Sequence, residues 1–493
     1  MCEANETTSE EYVIERSSTG IAELDHFLSG GFPKGSLILL TGNPGTGKTI
    51  FSAGFLYEGA VTAKEMGIYV SFSEGRKSFL ENMRTVGLDF EAVERRGLFR
   101  FLEMFSTTKG EMGKMTGEVL QAVVSTGAKR LVIDSYSAMA QAMGEHYEAR
   151  QVLHTMLSKI VRNMGCTTLV IGEQPSGEQR IGEAAEEFVA DGVLNLKLTI
   201  PRELEIRKMR GTKLKTRELI YTIDDGFRVL TTEIRNPSRR KMWDPIPDSG
   251  GLISTGSRDL DTILGGGLPR GAYVVLESSD DVMIKELRLF TGALCLNFIT
   301  QKRGVLVVPT GGVSAREIKA AWGLYSKGEA FNSYVRISEP NRPVGASSKQ
   351  PPPYVIPTTF GQSAGDEAEL EQSMSELQKA YRELKTKTRN QPVLRNIGYD
   401  SLETSYARHP DKLLNEVGLA ISRTRAAGDV TLGLAKPSLG ILDKIVGIVD
   451  WHLKLSKKNG VLMLKGIKPY TSMYAVEVDV SRGYPVTKLR ILT

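Results

Sequence analysis

The sequence predicts an α/β protein built from two copies of one domain, each a mainly parallel central sheet flanked by helices. Three observations predict it. The segment STGIAELDHFLSGGFPKG, Ser18 to Gly35, returns 236 residues later as STGSRDLDTILGGGLPRG, Ser254 to Gly271, with ten of eighteen positions identical and no gap. Chance similarity does not produce that, so the chain reads as a tandem duplication. A glycine-rich loop, GNPGTGKT, joins an apolar run to a helix-like one. Short apolar runs, GIYVSF, RLVIDS and TTLVIG, alternate with longer amphipathic stretches, the pattern of a parallel sheet covered on both faces.

Length and composition frame this reading. A chain of 493 residues exceeds what one hydrophobic core organises, and 41% hydrophobic with 25% charged residues suits a globular protein. The net charge of +5 is small for this length and argues neither for nor against nucleic acid. Cys2, Cys166 and Cys295 stand far apart without metal-ligand spacing, which fits a reducing compartment. No apolar stretch approaches the roughly 18 residues that span a bilayer, so the expectation is a cytoplasmic protein without membrane contact.

In chain order, residues 1–14 are polar and read as a flexible N-terminus, and residues 15–233 form the first domain. After Asp191 the runs VLNLKLTI, ELEIRKMRG and ELIYTID alternate in polarity and predict antiparallel strands that extend the sheet. Residues 234–251, with three prolines and a basic cluster, read as an exposed linker. Residues 252–493 form the second domain, with an insertion over 340–390. There a proline-rich stretch precedes Asp366 to Lys387, where Leu370, Met374, Leu377, Tyr381 and Leu384 recur at helical spacing. That helix either packs on its own domain or meets a partner.

The loop matches G-x-x-x-x-G-K-[ST]. Gly42, Asn43, Pro44, Gly45, Thr46, Gly47, Lys48, Thr49 and Ile50 make a cradle in which backbone N–H groups turn toward phosphate oxygens at the positive end of a helix. Lys48 would reach the β and γ phosphates of ATP, and the Thr49 hydroxyl would bind Mg²⁺. Asp134 closes the strand RLVIDS, where a water-bridged metal ligand belongs. Glu74, just past GIYVSF, is the candidate to orient or deprotonate the attacking water, and Gln174, after TTLVIG, could sense the γ-phosphate.

Together with RLVIDS, EEFVADGVLNL and KMRGT followed by YTIDDGFRV, the opening through GNPGTGKT resembles the KaiC family of RecA-like ATPases. The resemblance covers most of residues 14–232 and, more weakly, 250–493, and is greater to archaeal two-domain members than to the cyanobacterial clock protein. It implies tandem RecA-like P-loop domains that hydrolyse ATP with Mg²⁺, and a homo-oligomeric ring, often a hexamer. It also implies that a Lys-x-Arg pair from the neighbouring subunit contacts the γ-phosphate; here that pair is Lys208 and Arg210, in the role of an arginine finger. Members commonly carry two adjacent glutamates after the second strand, whereas this chain has Ser73-Glu74, which bears on turnover and not on binding.

The second copy loses the cradle. Ser278 to Lys285 align with Gly42 to Thr49; no glycine survives, Ile284 replaces Lys48, and Asp280 and Asp281 stand where phosphates would sit. Like charges there oppose a triphosphate. Asp400-Ser401 and Lys465-Gly466 are expected as remnants of the strand-end aspartate and of KMRG. The leading expectation is an oligomeric ATPase switch whose second half is a pseudo-ATPase that meets a protein partner. A DNA-handling ATPase has only the basic runs Arg235 to Lys241 and Arg202 to Lys215 in its favour. A third expectation is a transcriptional or signalling regulator that binds ATP with little turnover.

Overall fold

The computed structural model describes residues 14–104, 112–135, 164–173, 190–340, 351–361 and 366–492. Contacts divide the chain between Leu230 and Thr231 into two compact units.

In the first unit a short ribbon, β1 (Arg16–Ser17) with β2 (Phe32–Pro33), precedes the sheet. The sheet strands are β3 (Leu37–Gly42), β4 (Gly67–Ser71), β5 (Phe99–Glu103), β6 (Arg130–Asp134), β7 (Thr167–Glu173), β8 (Gly192–Lys197), β9 (Glu203–Met209), β10 (Glu218–Thr222) and β11 (Arg228–Leu230), in the order β11-β10-β9-β8-β3-β7-β6-β4-β5. β3, β4, β6 and β7 are buried along nearly their whole length, as continuous apolar runs require. Two features depart from the sequence reading. β5 adds a parallel edge beside β4, and β8 runs parallel to β3, so antiparallel pairing begins only at β9. The reason is burial: β8 is covered on both faces like the central strands, and its apparent alternation is a single asparagine, Asn195, in a buried run.

The second unit contains β12 (Tyr273–Ser278), β13 (Val305–Val308), β14 (Val335–Pro340), β15 (Val355–Thr358), β16 (Leu394–Gly398), β17 (Val430–Ala435), β18 (Trp451–Lys458), β19 (Val461–Lys468), β20 (Met473–Asp479) and β21 (Val486–Ile491). Their order, β15-β14-β13-β16-β17-β12-β18-β19-β20-β21, reproduces the first sheet strand for strand with β15 added at the edge. Both units are therefore tandem RecA-like α/β domains. The repeated sequence is explained at atomic level. Asp25 accepts hydrogen bonds from the Ser18 hydroxyl at 2.6 Å and the Thr19 N–H at 2.8 Å. Asp261 does the same with Ser254 at 2.5 Å and Thr255 at 2.7 Å. The glycine that follows has φ +85° (Gly20) and +81° (Gly256), and a Cβ there would strike the carbonyl of Gly54 or Ala293. Ser, Thr, Gly and Asp recur because this knot needs each of them.

Each sheet is packed on both faces. In the first unit one layer gathers the helix Lys48–Glu58 and the aromatic cluster of Tyr69, Phe79, Phe90, Phe99 and Phe101; the other holds Leu37, Ile68, Leu131 and Val170. Arg130, 2% exposed, ties the layers together by donating to Glu65 at 2.6 Å and to the carbonyls of Ser18 and Phe55. In the inserted region the helix Glu367–Lys387, capped by Asp366, lays Leu370, Leu377, Ala380 and Leu384 on its own unit. The stretch marked by its prolines as a linker is tied to the second unit. Trp243 is buried against Tyr484, Asn297 bonds both backbone groups of Ile246, and Arg303 pairs with Asp248 at 2.7 Å. No helix among the described residues is long and apolar enough to cross a membrane.

Candidate functional site

β3 ends at Gly42 and the next helix begins at Lys48, so the loop between them hangs at the carboxyl edge of the parallel sheet. Gly45 and Gly47 adopt φ +80° and +89°, and a Cβ on Gly47 would lie 2.7 Å from Ile223. Glycine is required there by both conformation and space. Pro44 and Gly45 form an exposed tip, while Thr46 is buried and donates to the Asn43 carbonyl at 2.8 Å. Two residues from the antiparallel strands brace the loop from behind. Tyr221 donates to the Thr46 carbonyl at 2.8 Å, and Arg202 donates to the Gly45 carbonyl at 2.8 Å.

The helix Lys48–Glu58 has no side-chain cap and no acidic residue in its first turn, so the N–H groups and the dipole at its start are available to an anion. Lys48 is buried and folds back onto its own loop, donating to the carbonyls of Gly42 at 2.8 Å and Asn43 at 3.0 Å. Burial lowers its pKa, an effect opposed by the charges of Glu173 and Asp134. The Thr49 hydroxyl donates to Asp134 Oδ2 at 3.3 Å, and the Tyr69 hydroxyl donates to the same oxygen. Burial raises the pKa of Asp134, while these two donors and Lys48 hold it down. Among the described residues no group of three or more metal-ligating side chains gathers. The pair Thr49 and Asp134 fits Mg²⁺, which takes few protein oxygens and completes its shell with phosphate and water.

Glu74 follows β4, and its charge is felt at Asp134 and Tyr69. Its carboxylate accepts from Ser78 at 2.7 Å and Asn82 at 2.8 Å, both on the following helix. Ile50 lies half-buried against the core in the first turn. Gln174 lies outside the described residues. Lys208 and Arg210 are not brought to this loop. In the pairing of β8 with β9, Lys208 faces Val193, and Arg210 bonds Asp191, whose other oxygen accepts the N–H of Leu37 at the start of β3. Arg210 stands at the opposite end of β3 from Gly42, and Lys208 lies level with Leu39, three residues short of it. Tyr69, Glu173 and Tyr221 are not singled out by the sequence, and Arg202 stands there only as the start of a basic run. The clue for the tyrosines was a phenol inside an otherwise apolar strand, which must find a hydrogen-bond partner when buried.

In the second unit the corresponding turn keeps its length, from Ser278 at the end of β12 to Ile284 at the start of the helix Ile284–Thr300. Its chemistry is closed. Glu286, 2% exposed, accepts the N–H of Met283 at 2.8 Å and pairs with Lys457 at 2.6 Å, placing a carboxylate of the chain itself at the helix start. Lys436 donates to the Ser279 carbonyl at 3.0 Å, and Glu277 pairs with His452 and Lys454. The expectation for Asp400 needs correcting. The last residue of β4, Ser71, faces Asp134, whereas the last residue of β13, Val308, faces Ile397. Asp400 falls three residues further on, inside a helix, and accepts from Thr310 and Gly311.

Residues 17–233 match the family described as ATPase: KaiC, and residues 242–492 match GvpD basic region 2. A UPF0273 protein of Aeropyrum pernix is 32% identical over 252 residues, covering 46% of this chain and 98% of its own length. The chain belongs to the KaiC-like family, with a GvpD-like second half. A second UPF0273 protein, from Thermotoga maritima, is 33% identical over 43% of this KaiC-like chain and 94% of its own. The circadian clock protein KaiC3 of Synechocystis is 28% identical over 54% of each chain. A KaiC-like protein of Pyrococcus horikoshii, solved by crystallography, shares 33% identity over 44% of this chain and all of its own, at a TM-score of 0.40.

Proposed function

We propose that the first unit binds and slowly hydrolyses ATP, that the second unit binds none, and that the chain works as an oligomeric nucleotide-dependent switch. The observation that carries this is the contrast between two helix starts on one fold. The helix at Lys48 is uncapped and faces an open glycine loop with Thr49 and Asp134 beside it. Its counterpart at Ile284 is capped by the chain's own buried Glu286.

The backbone of Gly42 to Ile50 would hold the phosphates, with Lys48 leaving its loop carbonyls for the β and γ oxygens. Thr49 and Asp134 would hold Mg²⁺, which neutralises charge on the transferred phosphoryl. Glu74 would orient the attacking water. Lys208 and Arg210 would act on the site of a neighbouring copy in a ring: Arg210 is held beside Leu37, five residue steps of β3 or about 17 Å from its own Gly42, and Lys208 lies level with Leu39, three steps away. A second reading, ATP binding with little turnover in a regulator, draws on the engagement of Glu74 by Ser78 and Asn82 and on Ser73 beside it.

Equilibrium ATP binding measured beside phosphate release tests both readings. The expected result is one ATP per chain, lost in Lys48→Ala, with slow Mg²⁺-dependent release. Two nucleotides per chain, or binding that survives Lys48→Ala, would overturn the proposal. Tight binding without release would select the regulator.

A further inference from the structure

The insertion that distinguishes the second unit builds more than an extra strand. Between the helices Glu367–Lys387 and Pro410–Ala427, above the sheet, lies a cavity of about 630 Å³. Its floor is Leu306 and Val308 of β13 and Arg395 and Ile397 of β16; Leu377, Leu413, Val417 and Ala420 of the two helices form its walls. Protein interiors are close-packed, and a space of this size has the dimensions of a small-molecule site. Ile397 and Arg395, on a central strand, are left only partly covered. The counterpart strand β6 is buried up to Asp134. Residues 279–283, which replace the phosphate loop, take no part in the lining.

The cavity is polarised along its length. Met374 and Leu413 line it toward the starts of the two helices, and Arg382 and Arg423 line it toward their ends beside Ala426 and Ala427; Arg395, second residue of β16, lies at that end. From Leu413 to Arg423 is ten residues of helix, about 15 Å. Arg395 is the unusual member. Its side chain is 13% exposed, its guanidinium lies over the Tyr381 ring at 4.4 Å, and its Nε has no hydrogen-bond partner among the described residues. Asp429 offsets it only in part. That buried carboxylate already takes Lys385 at 2.6 Å, the Tyr381 hydroxyl at 2.7 Å and the Val393 N–H at 2.9 Å, and it meets Arg395 only at 3.5 Å. A weakly paired guanidinium, with Arg382 and Arg423 on the same lining of an apolar chamber, suits an anion whose remainder is hydrocarbon. Glu416 is the one acidic residue among the lining, against Arg382, Arg395 and Arg423.

We propose that the second unit binds a free carboxylic acid with a long aliphatic body, its carboxylate on Arg395 and its chain running toward Met374 and Leu413. The site is separate from the nucleotide site and gives the second half a ligand of its own.

Calorimetric titration of the full, delipidated chain with dodecanoate and with dodecanol tests this. Dodecanoate should bind one per chain, at least tenfold more tightly than the alcohol. Arg395→Gln should bring the acid down to the affinity of the alcohol. Ala420→Trp, which fills the chamber from a helix, should abolish binding of both while ATP binding by the first unit is unchanged. Ala420→Trp carries the test by itself if Arg395→Gln does not fold. Absence of dodecanoate binding up to its solubility limit, equal affinity for acid and alcohol, or dodecanoate binding that survives Ala420→Trp would overturn the proposal.

Discussion

Thr49 and Asp134, eighty-five residues apart in the chain, meet at 3.3 Å beside the phosphate loop. The helix start supplies the hydroxyl and the end of β6 supplies the carboxylate, so this pair is set by the parallel order of β3, β7 and β6 rather than by any local turn. Tyr69, from the next strand, holds the same carboxylate oxygen from the buried side.

That third contact gives the first prediction. Tyr69→Phe removes a donor from a carboxylate already desolvated, at a cost of about 1–3 kcal/mol. ATP affinity in the presence of Mg²⁺ should fall roughly five- to a hundredfold by the same energy, while affinity measured in EDTA should stay near the parent value. Equal losses in the two conditions would mean that Tyr69 supports the loop and not the metal pair.

The loop glycines are not equivalent. Gly47 combines φ +89° with an Ile223 methyl only 2.7 Å from where a Cβ would stand, whereas Gly45, at φ +80°, has nothing within 4 Å of an added Cβ. Gly45→Ala should therefore cost only the left-handed strain, about 1–2 kcal/mol. Gly47→Ala should add a displacement of Ile223 and disturb the start of the helix. Measured ATP affinity and unfolding temperature should both fall further in Gly47→Ala than in Gly45→Ala; the reverse order would contradict the geometry.

Much of this was legible before any coordinates. The duplication, the loop and RLVIDS were readable because each is local: a knot of Ser, Thr, Gly and Asp, a turn that only glycine can make, an apolar strand with one acidic end. What escaped was long-range. Tyr221 and Arg202 brace the loop from strands more than 150 residues downstream, and their spelling in YTID and PRELE carries no sign of it. Asp400 looked like a strand-end aspartate because Tyr-Asp-Ser imitates Ile-Asp-Ser. The register placing Ile397 opposite Val308 is set by the neighbouring strand and not by those residues. The buried Trp243 was hidden by the prolines around it.

The placement of Arg210 makes a prediction about assembly. It is held by Asp191 at the start of β3, so no rotamer carries it to Gly42 at the other end. If it serves a neighbour's site, Arg210→Ala chains mixed with Lys48→Ala chains should regain part of the parent phosphate release, up to about a quarter in random rings, while each variant alone is inactive. No recovery on mixing, with ring formation verified by light scattering, would place completion of the site within one chain.

The last prediction concerns alkaline pH and the floor of the second unit. Tyr273 and Tyr399 are almost wholly buried, and their hydroxyls share a hydrogen bond of 2.5 Å. Burial pushes Tyr273 up to about 12 and Tyr399 well above the ordinary value of 10. Both phenols thus keep their protons in the folded state where an unfolded chain would release them. The stability they contribute is complete below about pH 10 and is lost as pH rises from there toward 12, on the order of 3 kcal/mol for Tyr273. Urea unfolding between pH 8 and 11.5 should show the midpoint of the second unit falling steeply above pH 10, with the tyrosinate absorbance of these two residues, read as the difference from a chain carrying phenylalanine at both, rising only as that unit unfolds. Replacing both residues with phenylalanine should flatten the fall without creating a charge to bury. A midpoint indifferent to pH in the parent chain, or a difference in tyrosinate absorbance between the parent and the double phenylalanine chain at pH 10 while the unit stays folded, would show that these hydroxyls are reached by solvent.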